Sequence, residues 1–138
     1  MAQVAATGFM QSNSAAQFVL EQGGLGRLCV LRGAGYFVSV LNLPDKATVE
    51  GLRGWIQDSD DEAFGMVSLV RSNPQRFEML AMSPISKGRR GDEATEQLDT
   101  TGIREGSVDN AHYAYMLQAV LTGPNVCLRG VEVTYSLP

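Results

Sequence analysis

The sequence is poor in the residues from which catalytic and metal sites are built. It holds one histidine, His112, two cysteines, Cys29 and Cys127, and one tryptophan, Trp55. With a single histidine, no Ser-His-Asp or Cys-His unit can form except through His112, and a structural zinc site would run short of ligands. No catalytic residues are therefore assigned. Basic residues are also scarce, with 11 Lys and Arg against 15 Asp and Glu and a net charge of −4. Nucleic acid is excluded as a main partner, because phosphate-rich ligands select basic faces. No apolar run approaches the roughly 20 residues of a membrane helix, so no membrane span is expected. Apolar stripes of period 3.6 longer than two turns are missing too, which removes long amphipathic helices. The glycines of Gly23-Gly24-Leu25-Gly26 and Gly33-Ala34-Gly35 lie between strand-like runs. They do not precede helices, so neither forms a phosphate cradle. The opening Met1-Ala2-Gln3-Val4 has no basic segment followed by an apolar core. No secretory signal is expected from it, and the product is placed in the virion or cytoplasm of the producing cell. The alternative is an extracellular or cell-surface location after removal of a signal.

What is present is strand periodicity. The chain has 138 residues, 44% of them hydrophobic, enough for one domain with its own core. Residues 1–16 are rich in Ala, Ser, Gln and Asn and read as an N-terminal arm. Residues 17–138 read as a single domain. Apolar runs at 17–22 and 27–31 flank Gly23-Gly24, the signal of a hairpin. Further runs cover 36–41, 49–57, 65–71 and 77–82, and the polar stretch Ser83–Asp99 reads as the longest loop. Glycines within the run at 49–57, Gly51 and Gly54, mark a bulge or a close approach of another backbone. Tyr113, Tyr115, Leu117, Ala119 and Leu121 share one face of the next run, and Val131, Val133, Tyr135 and Leu137 share one face of the last. The turn Gly123-Pro124-Asn125 between them predicts a long antiparallel hairpin. Seven to eight short strands with no helices predict an all-β fold, an antiparallel β-sandwich or jelly roll. Cys29 and Cys127 read as buried thiols. If paired instead, they would close a loop worth about 4–5 kcal/mol.

Candidate sites are few. Asp58, Asp60 and Asp61 form an acidic turn that could offer oxygens to calcium, the one cofactor considered. His112 reads as a half-exposed strand histidine beside Met116 and Gln118. Trp55 and Tyr36 are candidates for a sugar-stacking platform. Arg90-Gly91-Asp92 matches the tripeptide that integrins read and lies on the predicted loop. Met66, Val70, Met116 and Val120 place apolar side chains on the second face of their strands, which suggests cover by another layer or subunit.

Four motifs in fixed order carry a resemblance over about residues 40–138. They are Leu43-Pro44-Asp45-Lys46-Ala47-Thr48-Val49, the acidic turn at 58–62 followed by Val67-Ser68-Leu69-Val70-Arg71, Val108-Asp109-Asn110-Ala111-His112-Tyr113-Ala114-Tyr115, and the closing Leu128-Arg129-Gly130-Val131-Glu132-Val133-Thr134-Tyr135. In these the chain resembles a loose group of bacterial and phage-associated β-sandwich proteins. The resemblance implies a sandwich whose last two strands are central, and it implies no active site. The expected function is a non-enzymatic assembly protein, such as a capsid decoration protein of a tailed phage. Its partners would be itself, as a homo-oligomer and by analogy a trimer, and a capsid or cell-surface lattice. The alternative is a glycan- or surface-binding module of a bacterial envelope or secreted protein.

Overall fold

A computed structural model describes residues 2–5, 8–11, 17–21, 26–88 and 94–138, with 2–5 and 17–21 described as backbone only. Among the described residues eleven strands run in chain order: β1 (Ala2–Ala5), β2 (Met10–Gln11), β3 (Gln17–Glu21), β4 (Arg27–Arg32), β5 (Gly35–Leu41), β6 (Thr48–Asp58), β7 (Gly65–Asn73), β8 (Arg76–Met82), β9 (Thr95–Thr100), β10 (Ala114–Leu121) and β11 (Val126–Ser136). They form two antiparallel sheets. The first has the order β3-β4-β11-β6-β9, with β1 also on β11. The second has the order β2-β5-β10-β7-β8. The all-β sandwich expected from the periodicity is therefore present. Its last two strands are central, β11 in the first sheet and β10 in the second.

The predicted hairpin of those last two strands is not. β10 pairs with β5 and β7, whereas β11 pairs with β4 and β6. Gly123-Pro124-Asn125 carries the chain from one sheet to the other. The apolar faces of both strands point into the same core from opposite sides. Alternation fixes which face is buried but not which neighbour supplies the hydrogen bonds. Hairpins do form between β3 and β4 and between β7 and β8.

The strand count also exceeds the expected seven to eight. Within the segment read as an arm, residues 2–5 pair with β11 at Val131–Val133 and neighbouring positions, and Met10-Gln11 pair with β5. From the end of the predicted loop, Thr95–Thr100 pairs along β6. This edge strand turns a single apolar residue, Leu98, into the core, so it carries no alternating signal.

The core lies between the sheets. Leu52, Ile56, Leu128, Val131 and Val133 face Phe37, Val67, Leu69, Leu117 and Leu121. Two glycines let the layers approach. A Cβ on Gly54 would stand 2.7 Å from Val67 Cγ2, and one on Gly65 would stand 2.9 Å from Ile56 Cγ2. Where β8 ends, Ser83 and Ser86 continue the pairing of β7. The amides of Val67 and Gly65 donate to their hydroxyls at 3.0 and 2.8 Å.

Cys29 and Cys127 are directly opposite in the β4–β11 ladder and form a disulfide, contrary to the expected free thiols. The 98-residue separation hides this proximity in the sequence.

Candidate functional site

The first sheet presents a polar outer face around Trp55. Leu52, Gly54 and Ile56 of β6 point inward, so the period of two turns Arg53 and Trp55 outward. The register sets Arg53 between Asp99 of β9 and Glu132 of β11, and Trp55 between Gln97 and Gly130. β11 carries a bulge between Leu128 and Gly130. Two residues, Arg129 and Gly130, thus oppose the single Trp55, and the bulge brings Arg129 to the outer face. Trp55 is only partly buried.

The polar groups beside it are held in place. Arg53 donates through Nε to Asp99 Oδ1 at 2.7 Å and through Nη2 to Oδ2 at 3.5 Å, and Gln97 Nε2 donates to Asp99 Oδ2 at 3.1 Å. The bond from Arg53, then that from Gln97, keeps the Asp99 carboxyl below its usual range. The Arg53 guanidinium lies 6.0 Å from the indole centroid. A groove of about 200 Å³ continues from this pair and is lined by Gly51, Arg53, Asp99, Thr100 and Thr134. A side chain on Gly51 would meet Thr100 O at 3.7 Å and Thr134 Cβ at 3.9 Å. It would fit there and occupy the groove, so the glycine keeps the groove open. A flat apolar ring rimmed by planar hydrogen-bonding groups suits a ligand with one apolar face and a polar perimeter.

The residues singled out in the sequence do not converge here. Tyr36 lies on the outer face of the second sheet, across the sandwich from Trp55, so the two form no common platform. Asp58 is buried. It accepts from Ser86 Oγ at 2.6 Å through Oδ2 and from the Asp60 amide at 3.0 Å through Oδ1. Asp60 accepts from the amides of Glu62 and Ala63, and Asp61 is exposed. Among the described residues no group of three or more acidic, His or Cys side chains could hold a metal. His112 precedes β10, in a turn, with Nδ1 2.8 Å from Asp109 Oδ2, and so is not a strand residue. Arg90, Gly91 and Asp92 lie outside the described residues.

Met66, Val70, Met116 and Val120 sit on the outer face of the second sheet, on its inner strands β7 and β10. Val70 is fully buried there, and the open apolar positions are on the flanking strands, with Val40 77%, Met10 68% and Phe77 59% exposed. Arg71 at the end of β7 points the other way. It pairs with Glu78 at 2.7 Å and stacks on Tyr113 at 4.0 Å.

Of the groups beside Trp55, Arg53 was not singled out in the sequence, although its place two residues before Trp55 on one strand is a signal that could have found it. Asp99 and Gln97 were hidden, because their strand carries no apolar alternation. Arg129 was hidden by the bulge, which a sequence pattern does not register.

No protein-family model and no curated protein matches the sequence. Solved structures do. A family 6 carbohydrate-binding module from Clostridium cellulolyticum in complex with xylose aligns with a TM-score of 0.62 at 13% identity, over 96% of this chain and 96% of that one. A CBM6 module from Clostridium stercorarium in complex with cellobiose gives 0.60 at 10% identity, over 96% and 92%. The C-terminal CBM6 of a marine laminarinase from Zobellia galactanivorans gives 0.59 at 11% identity, over 96% and 98%. The fold is shared with family 6 carbohydrate-binding modules. These neighbours confirm a β-sandwich but not the phage-associated group of the resemblance. They overturn the expectation of a capsid decoration protein, and with it the trimer argued by analogy with jelly-roll assemblies. Among the described residues no helix is long and apolar enough to cross a membrane.

Proposed function

We propose that the protein is a non-catalytic glycan-binding module that acts outside the cell, and that its ligand lies on the outer face of the first sheet over Trp55. The observation that carries this reading is the partly open indole with Arg53, Asp99 and Gln97 fixed at its edge, on a fold shared with modules solved with xylose and cellobiose. A pyranose ring stacks its C–H face on an indole while its equatorial hydroxyls meet planar donors and acceptors at the rim. The disulfide between Cys29 and Cys127 supports an oxidising compartment. Affinity electrophoresis in gels containing xylan, laminarin, other soluble β-glucans or polygalacturonate tests the proposal. The wild-type protein is expected to be retarded by at least one polysaccharide. Trp55→Ala should weaken that retardation about tenfold or more, and Tyr36→Ala on the opposite face should leave it unchanged. Wild-type mobility unaltered in every gel, or equal retardation of Trp55→Ala, would overturn it.

A further inference from the structure

We propose that the glycan taken by this face is an acidic one carrying uronate carboxylates, and that Arg129 is the residue that selects it; this rests on the glycan-binding reading above. Several arginines of the described chain have fixed partners. Arg53 is held by Asp99, Arg71 and Arg76 by Glu78, and Arg27 donates to Gln57 Oε1 at 3.2 Å. Arg129 is different. It is partly buried, its Nε is fully enclosed, and that N–H meets no acceptor. No carboxylate pairs with its guanidinium among the described residues. Exposed Arg32 and Arg104 satisfy their donors in water, but Arg129 can do so only in part. A buried donor without an acceptor costs stability and calls for a physical reason.

Its position says which function. The bulge sets Arg129 beside Gly130 opposite Trp55 in the strand register, and no carboxylate among the described residues offsets its charge. The anions nearby are already engaged. Asp99 is bonded to Arg53, and Glu132 also faces the Arg53 charge. A sugar stacked on Trp55 would meet Arg129 at its edge. With Nε enclosed, the two terminal nitrogens are what a ligand can reach, and the ring substituent that best matches that planar pair is a planar carboxylate, bound through two parallel N–H···O bonds. Arg129 is therefore a specificity determinant within the site, and Trp55 provides the sugar-binding surface common to all ligands.

The decisive comparison uses one polymer in two charge states. Binding of the full chain to polygalacturonate, to the same polymer with its carboxyls methyl-esterified, to a sulfated galactan and to neutral laminarin and xylan is measured by affinity electrophoresis and calorimetry. Wild-type protein is expected to bind polygalacturonate at least about tenfold more tightly than its ester. Arg129→Gln should remove that preference, bringing polygalacturonate down to the affinity of its ester, and Arg129→Lys, which keeps the charge without the fork, should retain only part of it. Trp55→Ala should weaken acidic and neutral glycans alike. Equal wild-type affinity for polygalacturonate and its ester overturns the inference without recourse to any variant. So does an Arg129→Gln protein, with a wild-type melting curve, that weakens all glycans equally, since the arginine would then be structural. Arg129-dependent binding to the sulfated galactan alone would refute the carboxylate assignment. Binding to neutral glycans only would sink the acidic specificity and leave the glycan-binding reading standing, whereas no binding to any polymer would sink both.

Discussion

At the scale of single residues, the sandwich is closed by missing side chains as much as by present ones. Gly54 of the first sheet lies under Val67 of the second, and Gly65 of the second lies under Ile56 of the first. Each glycine receives a branched side chain from the facing layer, so the pair works as two reciprocal knobs in holes. A methyl group at Gly54 has no room unless Val67 moves. Gly54→Ala is therefore expected to cost about 1–3 kcal/mol in urea unfolding. Combining it with Val67→Ala should recover part of that cost, because the second change opens the space that the first one fills. The double-mutant cycle should show a coupling of about 1 kcal/mol, and strict additivity would contradict the packing described here. The position was legible as a glycine inside a strand, a sign of close approach. Its partner was not, since Val67 lies in the other layer.

At the scale of elements, the β3–β4 hairpin is attached to the first sheet through little backbone. β4 pairs with β11 only at Cys29–Cys127 and Leu28–Leu128. The disulfide reinforces this edge beside the core packing of Leu28 and Val30, and it joins residues 98 apart in the chain. Replacing both cysteines by serine is expected to lower stability by about 2–5 kcal/mol in urea. In hydrogen exchange the amides of residues 28–31 should lose protection before those of β6 and β10, whose ladders run the length of the strand. Uniform loss across all strands would argue that the hairpin is held by packing alone. β9 shows the opposite case. It pairs with β6 over six residues, yet its sequence Thr-Glu-Gln-Leu-Asp-Thr has one apolar residue. An edge strand needs only one inward side chain when its neighbour supplies the ladder, which is why a periodicity search reads it as loop.

At the scale of the whole molecule, the two outer faces differ in kind. That of the first sheet carries Arg53, Trp55, Gln97, Asp99 and Glu132. That of the second carries Tyr36, Val40, Met79 and Met82, with Phe77 at its border, all exposed. Contiguous exposed apolar surface of this sort binds hydrophobic dyes. The native protein is expected to enhance the fluorescence of anilinonaphthalene sulfonate, and Val40→Thr combined with Phe77→Thr should cut that signal by about half without lowering the melting temperature. On the proposed glycan-binding reading, a saturating glycan should not displace the dye, because Trp55 and the exposed apolar residues lie on opposite sides of the sandwich. Competition between them would mean that the two faces are not independent.

The sequence by itself determined the fold class, the inward faces of β7, β10 and β11, the hairpin at 17–32, and the shortage of catalytic material. All of these are local properties. A period of two, a turn dipeptide or a missing histidine can be read within a few residues of itself. Tertiary structure decided the rest: that β10 and β11 belong to different sheets, that Cys29 meets Cys127, and that Asp99, Gln97 and Arg129 fall beside Arg53 and Trp55 in the strand register. These depend on which strand lies beside which and in what register. Hydrogen-bonded neighbours on a sheet are chosen by closing a common core across long chain separations, and a one-residue bulge alters which side chain faces out without leaving a mark in the pattern.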